Sequence, residues 1–261
     1  MELSFELPTK HLKDLAEHND YNFTLAHLRG DEEYLTHYRE SNKYTICDNS
    51  AFELATPLTA PEVMSAATLF KSQEVVAPDS FNNGRKTIQA TEDFLKYMED
   101  EGHRGKFRVM GVVQGANVPD WISCLVHMRN NPHIDVVGFS YVGCKHFADD
   151  LGNARIAAVR LSIQESLGEL QKPIHLLGVG GNPLELKAHA DVATVRSCDT
   201  SLPIVQGIYS DRLDATSGMK AAKLARPADY FNATLSKQQL DDIKHNIAVM
   251  KGWTGSLARA Q

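Results

Sequence analysis

The sequence predicts an α/β fold, a (β/α)8 TIM barrel, and three observations carry that expectation. Eight short β-rich runs alternate with helical stretches along the chain. Most of the runs are continuously apolar rather than alternating, which suits parallel strands buried on both faces. The pattern fills the 261 residues without a Ser/Gly/Pro-rich linker, a low-complexity tract or a repeat, so one domain over residues 1–261 is expected. The rival, an open doubly wound sheet, would want G-x-G-x-x-G after its first strand, and the sequence has none there.

In chain order, strands are read at residues 22–28 and 44–47, rich in β-branched and aromatic side chains. Thr59 is placed to cap a helix at 60–72, and a strand follows at 74–77. A helix at 87–101 precedes the strand at 108–113, and Pro119 opens a helix at 119–129. The strand at 134–139 is followed by a helix at 153–170, and the strand at 174–177 by a helix at 183–190. Gly178-Val179-Gly180-Gly181 lies between that last pair, where a phosphate site and a tight strand-to-helix turn are both open readings. Strands at 192–196 and 204–209 complete the eight. Ser236-Lys237-Gln238-Gln239 then begins a helix at 240–251 in the manner of a capping box.

Composition narrows the class. Hydrophobic residues at 43% and charged residues at 23% supply enough apolar surface to exclude a disordered chain. The longest apolar runs, such as residues 109–113, are too short to cross a bilayer, so no membrane association is expected. Residues 1–7 show no basic segment followed by an apolar core. Cys47, Cys124, Cys144 and Cys198 are widely spaced with no C-x-x-C pair, as for reduced thiols in a cytoplasmic protein. The net charge of −6 gives no global attraction to nucleic acid, so such a role would need a local basic face.

In a barrel the chemistry sits just after the C-terminal ends of the strands. Those positions hold Asp48 and Asn49, Asp79, Gln114, Ser140 and Tyr141, Gly178 to Gly180, and Asp199. No Lys ends a strand, which counts against Schiff-base chemistry. His175 lies within a strand and His146 stands alone, so no metal site is read. Two carboxylates across a pocket are the usual equipment for breaking a glycosidic bond. A third carboxylate beside a carboxamide suits recognition of a base edge. Taken singly, Asp48 and Asp79 read equally as helix caps or turn residues.

Six stretches carry a resemblance. They are Cys47-Asp48-Asn49-Ser50-Ala51-Phe52-Glu53, Ala77-Pro78-Asp79-Ser80, Gly111-Val112-Val113-Gln114-Gly115, Gly138-Phe139-Ser140-Tyr141-Val142-Gly143, Leu176-Leu177-Gly178-Val179-Gly180 and Ser197-Cys198-Asp199-Thr200-Ser201-Leu202-Pro203. In order and spacing, across roughly residues 44–205, the series resembles the queuine and archaeosine tRNA-guanine transglycosylases, which exchange guanine for a 7-deazaguanine. The resemblance implies that Asp199 is the nucleophile and Asp48 the general acid/base. Asp79 and Gln114, with Asn49, would hold the base edge, and backbone groups around Gly138, Phe139 and Ser140 would complete the cradle. There are departures. The family's Asp-Ser-Gly-Gly-aromatic-Gln reads Asp-Asn-Ser-Ala-Phe-Glu here, and the second glycine of its Gly-Gly-Leu-Ala-Val-Gly is Phe139. The tRNA enzymes also carry a C-terminal C-x-C-x-x-C…His zinc subdomain, whereas no cysteine follows Cys198 here. A zinc-free version with Asp48-Asn49-x-Ala51-Phe52 is similar to the phage-type DNA-guanine transglycosylases, which modify phage DNA and so guard it against restriction.

On that reading the partners are DNA, with tRNA the sister alternative, and a free 7-deazaguanine base. No cofactor or metal is expected, and the compartment would be the host cytoplasm if the chain is phage-encoded. A homo-oligomer and a partner subunit both stay open. Lys220, Lys223 and Arg226, recurring at i, i+3 and i+6 after Arg212, are candidates for a nucleic-acid face, as are Arg85 and Lys86. Phe81 and Tyr141 are candidates for stacking, while core packing is the expectation for Trp121. Two other classes remain: a nucleosidase or glycoside hydrolase using the same carboxylates, and an inactive binding module.

Overall fold

The barrel begins with a strand that the sequence pattern did not reveal. β1 (Glu2–Phe5) has only four residues, with Glu2 exposed and Leu3 to Phe5 buried, and it pairs in parallel with the last strand, Ser4 opposite Asp199. The computed structural model describes residues 1–165, 172–179, 182–219 and 224–255. After β1 come α1 (Leu12–Leu15), β2 (Asn22–Leu25), α2 (Glu32–Glu40), β3 (Thr45–Asp48), α3 (Ala51–Leu54), α4 (Ala60–Leu69), β4 (Glu74–Val76) and α5 (Gly84–Asp100). The second half comprises β5 (Arg108–Val113), α6 (Val118–Asn130), β6 (Val136–Ser140), α7 (Leu151–Glu165), β7 (Ile174–Leu177), α8 (Glu185–His189), β8 (Val195–Thr200), α9 (Leu202–Ile208) and α10 (Lys237–Thr254). All eight strands are parallel in the order β1-β8-β7-β6-β5-β4-β3-β2, so the fold is the expected (β/α)8 barrel.

The seam between β1 and β2 is joined largely by side chains. Asn19 imitates a strand residue: its Oδ1 accepts from the Phe5 N–H at 2.9 Å and its Nδ2 donates to the Phe5 carbonyl at 3.1 Å. Asp20 accepts from the Leu3 N–H at 2.8 Å, and the Phe23 N–H donates to Ser4 Oγ at 3.1 Å. These side chains take up strand groups at the closure that a ladder would otherwise pair.

Two expected strands need correction. Residues 204–209 form most of helix α9, not a strand. Pro203 sits in the first turn, where its fixed φ starts a helix. Gly207 lets α9 lie against α10, since a Cβ there would come within 2.4 Å of Ile243 Cγ1. Burial of Ile204 and Val205 on both sides outweighs their preference for strands. The strand expected at 192–196 runs instead over Val195–Thr200, which puts Asp199 inside the strand rather than beyond it. The helix expected at 153–170 is seen to Glu165, and 166–170 lie outside the described residues.

Inside the barrel, Phe23, Leu25, Ile46, Val76, Met110, Val112 and Val136 fill the lumen, while a second apolar layer packs the sheet against the helices. The register shifts by one between β7 and β8, with Ile174 opposite Val195 and His175 opposite Ser197, so Arg196 is the extra residue of a bulge. Its guanidinium reaches across the barrel floor to the buried Glu74, which also accepts from Tyr44 Oη at 2.9 Å. Behind the opposite wall, the fully buried Arg155 of α7 makes a two-pronged pair with Glu185 of α8 (2.9 and 2.7 Å). Its remaining nitrogen donates to the carbonyls of Phe139 and Leu177 at 3.2 and 3.0 Å, fixing the ends of β6 and β7 where the mouth opens.

Candidate active site

A cleft open to solvent lies at the C-terminal mouth of the barrel. Five acidic side chains line it: Glu6, Asp48, Glu53, Asp79 and Asp199, with Arg226 the cation among the described lining residues.

Asp199 holds the last inward position of β8. Its Oδ1 takes two donors, His175 Nε2 at 2.9 Å and the Gly178 N–H at 3.3 Å. Gly178 turns the chain with φ +66 directly after β7, and this left-handed step aims its N–H at the carboxylate. A Cβ there would also press on the Tyr141 ring at 3.0 Å. His175 is clamped in turn. Its Nδ1 lies 2.8 Å from Ser197 Oγ, and its ring stacks on Phe23 with centroids 5.5 Å apart. Burial drives the imidazole down to about 3, so at neutral pH it is uncharged. The His175–Asp199 contact is thus a hydrogen bond from a neutral ring, with Nε2 donating and Nδ1 accepting from Ser197. Burial lifts Asp199 to about 6, and the Gly178 N–H is the largest effect opposing that rise.

Asp48 ends β3, and its Oδ2 accepts from the Ser50 N–H at 2.7 Å. Burial, then the charge of Glu53, holds its carboxyl well above the ordinary aspartate range. The turn that brings Glu53 there is strained, because Ser50 and Ala55 flank α3 with φ of 60 and 61. Asp79, after β4, is gripped by two amides: Oδ1 accepts from Asn49 Nδ2 at 3.0 Å and Oδ2 from Gln114 Nε2 at 2.7 Å. Burial raises its pKa while both amides oppose the rise. Each oxygen keeps acceptor capacity for a further donor.

The structure brings Asp199, Asp48, Asp79, Asn49 and Ser140 to one cleft. Gln114 sits behind Asp79, fully buried, with Oε1 lacking a hydrogen-bond partner. Gly138 and Phe139 do not line the cleft. Gly138 faces Met110 and Leu177 deeper in the lumen, and the Phe139 ring packs on Trp121 outside the sheet. The expected cradle of backbone groups thus narrows to Ser140, because strand alternation turns Phe139 away and Arg155 takes its carbonyl. Lys220 and Lys223 lie outside the described residues. Arg226 belongs to no exposed basic face: it donates to Glu53 Oε1 and Ser201 Oγ, both at 3.0 Å, and to Glu6 Oε2. Its guanidinium also lies over Tyr230, 4.8 Å from the ring centroid. Of the aromatic candidates, Phe81 and Tyr141 line the cleft and Trp121 is core; Phe52, which was not among them, stands 57% exposed with its ring centroid 6.3 Å from that of Tyr141.

The sequence reading passed over Glu6, His175 and Glu53 as site residues. Glu6 follows the strand that was not read, and His175 was set aside for lying within a strand, although from there its ring reaches Asp199 on the neighbouring strand. Glu53 did leave a signal, as an acid where the resembled motif has Gln. Among the described residues, no three His, Cys, Asp or Glu side chains are arranged to hold a metal ion. No known protein family matches the chain, and no characterised protein matches it.

Proposed function

We propose that the protein is a base-exchange enzyme that replaces guanine in DNA with a 7-deazaguanine through a glycosyl ester on Asp199. The observation that carries this reading is the pairing of unlike carboxyls in one cleft. Asp199 is anchored through Oδ1 by two donors, while Asp48 is kept in a setting that favours its protonated form. Asp199 Oδ2 bonds to C1′ as the C1′–N bond to guanine breaks, and Asp48 gives its proton to the departing base. The incoming 7-deazaguanine then surrenders a proton to Asp48 and attacks C1′, returning the electron pair to Asp199. Two inversions retain the β configuration. Asp79, held square by Asn49 and Gln114, is placed to accept from N1–H and the exocyclic amine of the base. The target nucleotide must leave the duplex stack to enter, and Phe81, Tyr141 and the exposed Phe52 supply aromatic surface at the entrance. DNA is proposed as the polymer on the Asp48-Asn49-Ser50-Ala51-Phe52 motif at the mouth.

The test is incubation with radiolabelled guanine and parallel duplex DNA, single-stranded DNA and tRNA. Label entering DNA supports the reading, and label entering tRNA faster than DNA overturns the choice of polymer. Release of free guanine without incorporation would make the protein a hydrolase. The pH profile follows from the site. Asp199 must be ionised to attack, so the rate is expected to rise as pH increases through about 6. His175→Phe keeps a ring on Phe23 but removes the donor to Asp199. It is expected to move that acid limb to higher pH and slow exchange about 10- to 100-fold.

A further inference from the structure

Glu6 sits where a carboxylate is hard to explain. It lies one step past β1, buried, on the strand next to the nucleophile's, with its N–H bonded to the Thr200 carbonyl at 3.2 Å. Glu6 is the next inward residue after Ser4, which pairs with Asp199, so its carboxyl lines the same cleft beside that of Asp199, and burial, with the charge of Asp199, raises its pKa. Two buried carboxyl groups side by side resist ionising together, which favours a proton held between them. Arg226 relieves this only in part. On the segment after the barrel, it is the one cation among the described residues bonded to Glu6, and it is shared with Glu53 of α3, whose carboxyl burial lifts to about 7. Tyr34 and Tyr38 of α2, Tyr141 after β6, and Tyr230 all face this region, and burial raises all four, so they stay neutral. Asp48 adds a further acid across the cleft.

We propose that Glu6 is a positioning residue that remains protonated at neutral pH and donates its O–H to the Asp199 carboxylate, while Arg226 bridges Glu6 and Glu53. Asp199 is bonded by the His175 ring and the Gly178 amide as well, so the charge settles on Asp199 and the proton on Glu6. Glu6 keeps that proton through both half-reactions: its O–H orients the carboxylate before attack and receives it again when the ester breaks. Only this last statement, of what the pair does, rests on the base-exchange reading; the shared proton itself does not.

Carboxyl 13C NMR titration of the whole chain, in wild type, D199N and E6Q, tests the proton directly. The Glu6 carboxyl signal is expected at the neutral-acid position at pH 7, with a midpoint that falls by at least about one pH unit in D199N, where the neighbouring charge is gone. A Glu6 that is ionised at pH 7, or whose midpoint ignores D199N, overturns the proposal. In exchange assays, E6A is expected to lose about 10- to 100-fold. E6Q, which keeps a neutral N–H donor, should recover most of that loss. E6Q as slow as E6A, with both folded by circular dichroism, also overturns it. Titrations that behave as expected in a protein that exchanges no base would uphold the shared proton and remove the base-exchange reading.

Discussion

Asp199→Ala is expected to abolish base exchange, with a fall of about 10⁴-fold or more, because it removes the proposed nucleophile. Wild-type protein mixed with DNA and then denatured should carry a covalent nucleic-acid adduct on Asp199, identifiable by mass spectrometry, and the variant should carry none. Near-normal exchange by the alanine variant would eliminate the proposed nucleophile. Loss of fold is not the expected cause, and linkage gives an independent check. Burial raises Asp199 from 3.8 to about 6 in the folded protein, so the folded state binds more protons than the unfolded state between those values. Its contribution to stability is therefore full below about pH 4 and is lost as pH rises through about 6. Asp199→Asn removes that part of the slope, so in chemical denaturation its midpoint should vary less with pH across this window. A buried carboxylate held at such a cost is what the proposed role of Asp199 would require.

Much of this site was legible in the sequence because barrel geometry is regular. Once strands were placed, Asp48, Asp79 and Asp199 fell at their C-terminal ends, and the structure brings all three to one cleft. The eight strands were counted correctly from a partly wrong set, however. β1 went unread because four residues at a chain start give too little pattern, whereas 204–209 imitated a strand with Ile204 and Val205. The residues that tune the site were harder to see. His175 acts on Asp199 from the neighbouring strand, Glu6 from the strand on the other side, and Arg226 from 27 positions downstream of Asp199 by number. These are contacts that closing the sheet creates and that no local spacing records. Arg226 shows the hazard of reading charge by periodicity: an i, i+3, i+6 basic series suggested an outer face, yet two glutamates from distant elements draw this member into the cleft.

Asp79→Ala is expected to be nearly as damaging as loss of the nucleophile, for a different reason. In the proposed mechanism Asp79 offers its two oxygens to the base, and without them the N1–H and amine donors of guanine would enter the cleft unpaired. Sites built around hydrogen bonds reject a mismatched partner by factors on the order of 10⁴. The loss is compounded inside the protein. Asn49 Nδ2 would keep its bond to the Ala77 carbonyl at 2.8 Å, but Gln114, fully buried and already with an unpartnered Oε1, would lose the acceptor of its amide as well. A buried amide stripped of partners costs about 1–3 kcal/mol, so the variant should also unfold at lower denaturant concentration. Asp79→Asn separates the two effects, since its oxygen can accept from Asn49 and its amino group can donate to the unpartnered Oε1 of a flipped Gln114, while presenting an N–H where the base needs an acceptor. Stability near that of wild type with exchange as poor as in Asp79→Ala would place the role in recognition. Normal exchange of guanine by either variant would reduce Asp79 to the turn residue that its position after β4 also allows.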